Sequence, residues 1–252
     1  MLDRVGVGPL VGCGQCYFCS CGNYHLCEKL EHIGGQRKGG FAEYALIPQN
    51  KVYILPKNVS YEEAALLDGF TVGVHAIHKI PLTVNDTVVI FGAGTIGLSL
   101  LQLVKLYNVK KVGIIGVNDT QRKMSKEFGA DLFINIWEEN LIDEMTNFTN
   151  GDGVDVVFES VGGNTSTLAD SIKIIKPGGI IEVLGLFTET PKFDPLLFIF
   201  KEVEILSLFA YSTWRGVSEF QVALDLLAQG WSSPDKSDSQ LRGCVITNYI
   251  WQ

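Results

Sequence analysis

The sequence has 252 residues, of which 46% are hydrophobic and 19% charged, with a net charge of −8 and a pI near 5.0. This composition is that of a folded globular protein with one large domain or two smaller ones, and no Lys/Arg run forms a basic stripe for nucleic acid or anionic membrane. Neither a signal peptide nor an apolar run of roughly 18–20 residues for a membrane span is present, so we expect a cytoplasmic protein.

Residues 1–57 are rich in glycine and contain two short strand-like stretches, GFAEYALIP at 40–48 and KVYILP at 51–56. The pattern changes at Ser60, which Glu63 follows three residues later as in a capping box. Apolar residues then recur at helical spacing, so we predict one helix over 60–80.

After Pro81, apolar runs that suit buried strands alternate with amphipathic stretches that suit helices. Continuous apolar strands separated by helices indicate a parallel sheet covered on both faces. We therefore predict a doubly wound α/β domain over about 70–211. Its predicted strands lie in 86–94, 111–116, 132–136, 153–160, 178–187 and 203–210, and helices are predicted at 95–108 and 120–130.

Five cysteines lie between residues 13 and 27, and four of them follow the spacing C-x2-C-x2-C-x7-C. Four thiolates in a tight loop suit tetrahedral Zn²⁺ and leave no open position for catalysis. A reducing compartment disfavours disulfides, and iron–sulfur ligation stays an alternative that spacing alone does not exclude. We predict a structural zinc site formed by Cys13, Cys16, Cys19 and Cys27.

Two further cysteines and one histidine could also bind a metal, but we do not predict them to be ligands of this zinc. Cys21 lies outside the regular spacing and is interpreted as an uninvolved thiol, with an alternative ligand or a redox-sensitive site as the other interpretations. Cys244 is predicted to be a core residue. His25 is predicted to be a loop residue rather than a fifth ligand.

A glycine-rich turn, G-x-G-x-x-G, follows the first predicted strand of the α/β domain and opens its first helix. In such a turn the first glycine permits the tight bend, the second lets backbone amides approach a pyrophosphate, and the third allows close helix–strand packing. The strand, turn, helix and second strand come in the required order, so we predict a dinucleotide site. The residues of this motif that we predict to bind the cofactor are Gly92, Gly94, Thr95, Ile96 and Gly97.

Gly116 stands at the end of the second strand, where an acidic residue normally binds the adenosine ribose. Removing that carboxylate removes repulsion against a 2′-phosphate, so we predict NADP in preference to NAD, with NAD left open. Asn118, Arg122 and Lys123 are candidates to bind the phosphate. Asp119 complicates this prediction, unless it only caps the next helix.

The fourth and fifth predicted strands end in FESVGG and VLGL. Because ligands of open α/β sheets bind at the carboxyl ends of the strands, four residues there are candidates for the nicotinamide side of the site. An ordinary role in turns is an equal alternative for each. The candidates are Val161, Gly162, Gly185 and Leu186.

The cysteine spacing, followed in order by GGFAEY, GAGTIG and KPGGIIEVLGL, resembles the zinc-containing medium-chain dehydrogenase/reductase family. That family includes alcohol, sorbitol and threonine dehydrogenases. The resemblance implies a partial GroES-like catalytic domain over 1–69, a Rossmann NAD(P)-binding domain over 70–211, and a return to the catalytic domain over 212–252. The four cysteines match the ligands of the family's structural zinc.

The resemblance also implies a second, catalytic zinc, and Asp68 matches one of its protein ligands. An aspartate at this position is similar to secondary-alcohol dehydrogenases that prefer NADP. A solvated or hydrogen-bonded helix residue is the alternative interpretation of Asp68. His75 and His78, in the same predicted helix, are interpreted as packing residues.

Family members carry a stretch before the zinc lobe with a ligand cysteine, a ligand histidine beside a glutamate, and a proton-relay hydroxyl. This sequence lacks that stretch, and the family continues beyond the strand that CVITNYIW, at 244–251, resembles. We therefore expect a chain shortened at both ends, in which Asp68 alone does not hold a catalytic zinc, because such sites need about three protein ligands.

The expected function is hydride transfer between NAD(P) and an alcohol, a polyol or a ketone, with weak or no turnover by this chain. A non-catalytic module that binds NADP and zinc is the alternative. A zinc-independent reductase of the quinone reductase kind is disfavoured by the four-cysteine lobe. The expected partners are a small-molecule alcohol or ketone and further copies of the chain in a homo-oligomer, with no nucleic acid or membrane.

Overall fold

The computed structural model describes residues 3–231. The chain divides into two compact units, Met1–His78 with Phe209–Gln252, and Lys79–Leu208. The domain boundaries predicted from the sequence fall after residues 69 and 211. CVITNYIW and Cys244 lie outside the described residues.

The strands and helices of the described residues are numbered in chain order. They are β1 Val5–Val7, β2 Leu10–Val11, α1 Tyr17–Ser20, β3 Glu31–His32, β4 Val52–Ile54, α2 Tyr61–Ala64, α3 Leu67–Lys79, β5 Thr87–Phe91, α4 Thr95–Leu106, β6 Lys111–Gly116, α5 Asp119–Glu127, β7 Leu132–Asn135, α6 Leu141–Thr149, β8 Val154–Glu159, α7 Thr167–Ile174, β9 Ile175–Val183, α8 Pro195–Phe200, β10 Glu204–Ser207, β11 Thr213–Trp214, β12 Val217–Ser218 and α9 Glu219–Ala228.

The second unit is built on a six-stranded sheet in the order β10-β9-β8-β5-β6-β7, and every strand pair is parallel. β5 is buried along its whole length, as expected of a strand covered by helices on both faces. The chain reverses its direction of winding between β5 and β8, which is where doubly wound sheets bind ligands. The predicted α/β class and parallel sheet are confirmed.

Each strand predicted between residues 86 and 210 is present. The two predicted helices are also present, as α4 and α5, and each ends two or three residues before its predicted end. α6 and α7 occupy the connections between β7, β8 and β9. Their apolar side chains pack with those of the strands in one core that includes Val89, Val157 and Ile172, each buried to within 1% of full burial.

In the first unit, the capping box at Ser60 is confirmed. Ser60 Oγ accepts a hydrogen bond from Glu63 N at 3.1 Å, and Glu63 Oε2 accepts one from Ser60 N at 2.7 Å. The single helix predicted over 60–80 is wrong, because it divides into α2 and α3. Leu66 N donates to the carbonyl of Glu63, three residues back, and this tighter turn separates the two helices.

The strand predicted in GFAEYALIP is also wrong. Residues 41–48 form no strand, and the side chains of Phe41, Tyr44 and Leu46 are 114%, 91% and 93% exposed. Within residues 3–231 no strand pairs with this stretch, so its backbone gains no ladder of hydrogen bonds. The strand predicted in KVYILP is confirmed as β4, which pairs antiparallel with β1.

The first unit joins distant parts of the chain. Thr213 N donates to the carbonyl of Gly22 at 3.1 Å, and the hydroxyls of Tyr53 and Ser218 lie 2.8 Å apart. The β11–β12 hairpin and α9 thereby pack with the residues around the cysteine lobe and β4.

No helix in the described part of the chain is long and apolar enough to cross a membrane.

Candidate dinucleotide and zinc sites

The four cysteines of the predicted zinc site come together. Their sulfur atoms all lie within 4.8 Å of one another, and none of the four forms a disulfide. Among residues 3–231 they are the one group of His, Cys, Asp and Glu side chains close enough to share a metal ion. This all-sulfur set suits tetrahedral zinc.

Backbone amides support the sulfur atoms of this set. Cys13 N and Lys29 N donate to Sγ of Cys27 at 3.3 and 3.4 Å, and Cys19 N donates to Sγ of Cys16 at 3.5 Å. Donors of this kind stabilise thiolates, the form in which cysteine binds metal. The loop geometry therefore fits a bound cation.

The pKa values of two of these thiols are displaced in opposite directions. Backbone hydrogen bonds from Gln15 and Cys16 lower the pKa of Cys13 to about 6. Burial raises the pKa of Cys19 to about 12. A divalent cation reverses the second effect, because its charge deprotonates a coordinating thiol.

The side chains around the set are placed as follows. Cys21 is exposed and is not part of the sulfur group. His25 is buried, and its ring meets the ring of His75 edge-on, with centroids 5.1 Å apart. Lys51 is buried too, with Nζ 3.5 Å from the centroid of the Tyr24 ring, and burial lowers the pKa of its ammonium to about 8.

The glycine-rich turn links β5 to α4. Gly92 has φ +99°, in the left-handed region that favours glycine. A Cβ atom on Gly97 would overlap the carbonyl oxygen of Gly92, so this helix–strand approach requires glycine. Nothing lies within 4 Å of where a Cβ atom of Gly94 would stand.

α4 begins without a side-chain cap. Gly94 occupies the N-cap position, no side chain accepts from the first amides, and the first turn, which starts with Thr95 and Ile96, holds no acidic residue. The first amides of a helix have no partner within it, and they carry partial positive charge. This helix end therefore suits an anionic group such as a pyrophosphate.

A cavity of about 520 Å³ lies beside this turn, at the carboxyl ends of β5, β6 and β8. Three segments of the lining come from the glycine-rich turn, the end of β6 and the loop after β8. Its lining includes Gly92, Gly94, Gly116, Val117, Gln121, Ile136, Trp137, Ser160, Val161, Thr165, Thr167 and Asp170.

Glu159 organises the loop after β8, and sequence reasoning did not single it out. Its side chain is fully buried, and Oε1 accepts from the backbone amides of Val161 and Gly162 at 2.9 Å and from Oγ1 of Thr167 at 2.8 Å. A carboxylate at the end of a buried apolar strand was the available signal.

The four candidates for the nicotinamide side fall into two adjoining loops. Gly163 N donates to the carbonyl of Leu186 at 2.8 Å, and Gly162 and Gly185 pack backbone against backbone, too closely for a Cβ atom on either. Val161 lines the cavity. Leu186 is 77% exposed and is not among the lining residues.

The residues predicted to bind a 2′-phosphate are placed differently from one another. Gly116 lines the cavity. Asn118 Oδ1 caps α5 by accepting from Gln121 N at 2.9 Å. The Arg122 guanidinium pairs with Oε2 of Glu139 at 3.0 Å. Neither Asn118 nor Arg122 is among the lining residues.

Asp68, in the first turn of α3, is exposed, and its Oδ1 accepts a hydrogen bond from the buried hydroxyl of Tyr211 at 2.7 Å. Burial and the Asp68 carboxylate raise the pKa of Tyr211. No His, Cys or other carboxylate in residues 3–231 groups with Asp68 as a metal site.

His75 and His78 do more than pack. Both place Nδ1 within hydrogen-bond distance of the carboxylate of Glu219, which is fully buried at the start of α9. The His78 ring also stacks on Trp214 with centroids 5.0 Å apart. A cluster formed across more than 140 residues leaves no local signal in the sequence.

Two family profiles match the chain. The one described as zinc-binding dehydrogenase matches residues 95–229, and the one described as the alcohol dehydrogenase GroES-like domain matches residues 3–57. The chain belongs to the zinc-binding dehydrogenase family. The first match begins within the glycine-rich turn, at Thr95, and covers most of the residues that line the cavity, and the second covers the cysteine lobe.

Individual relatives agree with this assignment. A sorbitol dehydrogenase of Bacillus subtilis is 31% identical over 231 residues, which are 90% of this chain and 64% of that enzyme. A crystal structure of an alcohol dehydrogenase from Escherichia coli CFT073, complexed with NADH, has a TM-score of 0.82 at 31% identity and covers 93% of this chain and 67% of its own.

A third relative, a structure from Sinorhizobium meliloti 1021 assigned to the zinc-binding dehydrogenases, is bound to NADP. It has a TM-score of 0.80 at 28% identity and covers 91% of this chain and 66% of its own. The chain spans about two thirds of the length of the relatives it matches. Zinc and a nicotinamide dinucleotide are the cofactors of this family.

Proposed function

We propose that this chain acts in hydride transfer between NAD(P)(H) and a small alcohol or polyol, or the corresponding ketone. The observation that carries this proposal is the cavity at the carboxyl ends of β5, β6 and β8, into which the uncapped start of α4 opens. That combination suits a dinucleotide, in which an anionic pyrophosphate lies between the adenine and nicotinamide ends.

The residues around the cavity fit the proposed dinucleotide. The amides that follow Gly94 would hold the pyrophosphate, and the open space at Gly94 lets it approach the backbone. Val161, oriented by its hydrogen bond to Glu159, would lie on the nicotinamide side. When bound, the nicotinamide ring accepts or donates the hydride.

The four cysteines would hold a structural zinc ion with a closed coordination shell. Its role is to fix the loop between residues 13 and 27, because four protein ligands leave no position for a substrate. Asp68 would be one ligand of a separate catalytic metal that polarises the substrate oxygen, and such a metal needs further protein ligands that residues 3–231 do not place beside Asp68. The hydroxyl of Tyr211 would orient that carboxylate.

A second candidate function is a non-catalytic module that binds the dinucleotide and structural zinc. The isolation of Asp68 from other ligand side chains within residues 3–231 favours this candidate, because a catalytic zinc site needs about three protein ligands. The likeness to sorbitol dehydrogenase favours a polyol substrate under the first candidate. The cytoplasmic location and the self-association expected from the sequence stay predictions.

The two candidates are separated by measuring zinc content, dinucleotide binding and turnover on the purified 252-residue protein. Reduction of NAD⁺ or NADP⁺ by sorbitol or a secondary alcohol, lost in Asp68→Asn but not in the exposed control Asp152→Asn, supports hydride transfer. Dinucleotide binding with about one zinc ion per chain and no turnover supports the module. Absence of binding by NADH and by NADPH refutes both candidates.

A further inference from the structure

We propose that Gln121 takes the place of the carboxylate that usually accepts hydrogen bonds from the adenosine ribose hydroxyls. We infer that the cavity therefore prefers NAD(H) to NADP(H). This inference rests on the proposed dinucleotide function. It reverses the cofactor preference that the glycine at position 116 predicts from sequence.

Gly116 is small for a packing reason. A Cβ atom on Gly116 would lie 2.7 Å from Oε1 of Gln121 and 2.7 Å from Cζ of Phe133. Real Cβ atoms essentially never show contacts that short, so a side chain at position 116 would require the Gln121 amide and the Phe133 ring to move. The Gln121 amide and the edge of the Phe133 ring therefore stand where the first atoms of the usual acidic side chain would lie.

The hydrogen bonds of Gln121 define which end of its amide meets the cavity. Oε1 accepts from Val117 N at 2.8 Å, so the other end of the group must be the NH₂. Nε2 donates to no group within the described part of the chain, and Gln121 lines the cavity. An amide N–H can donate to a ribose hydroxyl, but it brings no charge to offset a phosphate.

The two cations that the sequence offered for a 2′-phosphate do not line the cavity. Arg122 Nη2 donates to Oε2 of Glu139 at 3.0 Å, and Nη1 donates to the carbonyl of Phe133 at 3.4 Å. Its Nε lies 3.7 Å from Oδ1 of Asp119. The side chain of Lys123 is 80% exposed, and its Nζ lies 4.0 Å from Oε1 of Glu127. Lys123 does not line the cavity.

The charge of the cavity points the same way. Among the described residues that line it there is no Lys, Arg or His, and Asp170 is the one with a formal charge. A 2′-phosphate would carry nearly two negative charges into this lining without a partner. The pyrophosphate, common to both dinucleotides, has the start of α4 instead.

The test is a titration of the purified, zinc-loaded 252-residue protein with NADH and with NADPH, followed by quenching of tryptophan fluorescence. Trp137, 78% exposed at the cavity wall, supplies the signal. We expect NADH to bind at least about tenfold more tightly than NADPH. Equal or tighter binding of NADPH overturns the inference while leaving the proposed function intact, and failure of both to bind overturns both.

Two matched variants identify the residue responsible. Gln121→Ala should weaken NADH binding by roughly tenfold, and Gln121→Glu should retain NADH binding and lower NADPH affinity further, because a carboxylate still accepts from Val117 N. Arg122→Gln should leave NADPH affinity unchanged within about twofold. A selective loss of NADPH affinity in Arg122→Gln would show that the guanidinium does bind the phosphate and would overturn the inference.

A gain-of-binding variant covers the case in which a substitution at Gln121 disturbs folding. Val117 is 43% exposed and lines the cavity, so Val117→Arg places a cation beside the ribose position. We expect NADPH affinity to rise at least about fivefold with NADH affinity little changed. If this variant melts at the same temperature as the original protein and shows no gain in NADPH affinity, the result counts against the inference.

Discussion

Nδ1 of His75 lies 2.8 Å from Oε2 of Glu219, and both side chains are buried. His78 meets the other carboxylate oxygen at 2.7 Å, and Ser212 N donates to Oε2 at 2.7 Å. Burial raises the pKa of Glu219, but the hydrogen bonds from His75 and His78 outweigh it and bring the pKa to about 2. One carboxylate thus joins α3, α9 and the start of the β11–β12 hairpin.

Glu219→Ala should lower the free energy of unfolding by about 3–5 kcal/mol, because it leaves two buried imidazoles without their acceptor. The matched control Glu62→Ala, at an exposed position in α2, should change it by less than about 0.5 kcal/mol. Urea unfolding monitored by circular dichroism measures both. The contribution of Glu219 should be complete above pH 4.5 and decline as the pH falls towards 2, since the lowered pKa favours the folded state only while the carboxylate is ionised.

Glu182 should have the opposite pH dependence. It is fully buried in β9, neither carboxylate oxygen has a hydrogen-bond partner, and burial raises its pKa to about 8, although Lys79 opposes the shift. The folded protein keeps a proton that the unfolded chain loses, so stability should fall between pH 4.5 and 8. Glu182→Leu should remove this slope and stabilise the protein by about 3 kcal/mol at neutral pH, whereas Glu204→Leu, exposed on β10, should leave the slope unchanged.

Removal of one sulfur ligand should release the structural zinc. Cys27→Ser is expected to lower the zinc content well below the original value and to reduce the melting temperature by several degrees, because metal binding contributes folding free energy. Cys21→Ser, in the same loop but outside the sulfur group, should change neither quantity. Elemental analysis and thermal melting test the pair, and zinc loss in Cys21→Ser would contradict the assignment of ligands.

Two glycines of the same turn should respond differently to alanine. Gly97→Ala forces a methyl group onto the carbonyl of Gly92, so it should destabilise the second unit by more than about 2 kcal/mol. Gly94→Ala meets no protein atom within 4 Å and should fold normally. Its methyl group enters the space proposed for the pyrophosphate, so NADH affinity should fall while the melting temperature stays constant. Thermal melting and NADH titration separate the two effects.

The second unit was largely predictable because its strands and helices are local patterns. Apolar runs such as Val88–Phe91 define β5, and the glycine spacing defines the turn that follows. The capping box at Ser60 was readable for the same reason. The division of the next helix at Leu66 was not, because it depends on a single three-residue hydrogen bond rather than on composition.

Features that depend on distant partners escaped prediction. The apolar stretch around Phe41 has the composition of a strand, yet strand formation requires a pairing partner that composition does not reveal. Glu219 unites His75 and His78 across more than 140 residues. Gln121 and Phe133 approach Gly116 from different elements, and the sequence gives no sign of this contact.

The interrupted course of the first unit bears on how the chain folds during synthesis. Gly22 is hydrogen-bonded to Thr213, and Tyr53 to Ser218. The N-terminal residues therefore lack these partners until the ribosome has synthesised all of Lys79–Leu208. At ribosomal rates of about 5–20 residues per second, that delay is on the order of ten seconds. The parallel sheet can therefore form first on the ribosome, while the cysteine lobe and β4 stay without their later partners and exposed to chaperones and proteases.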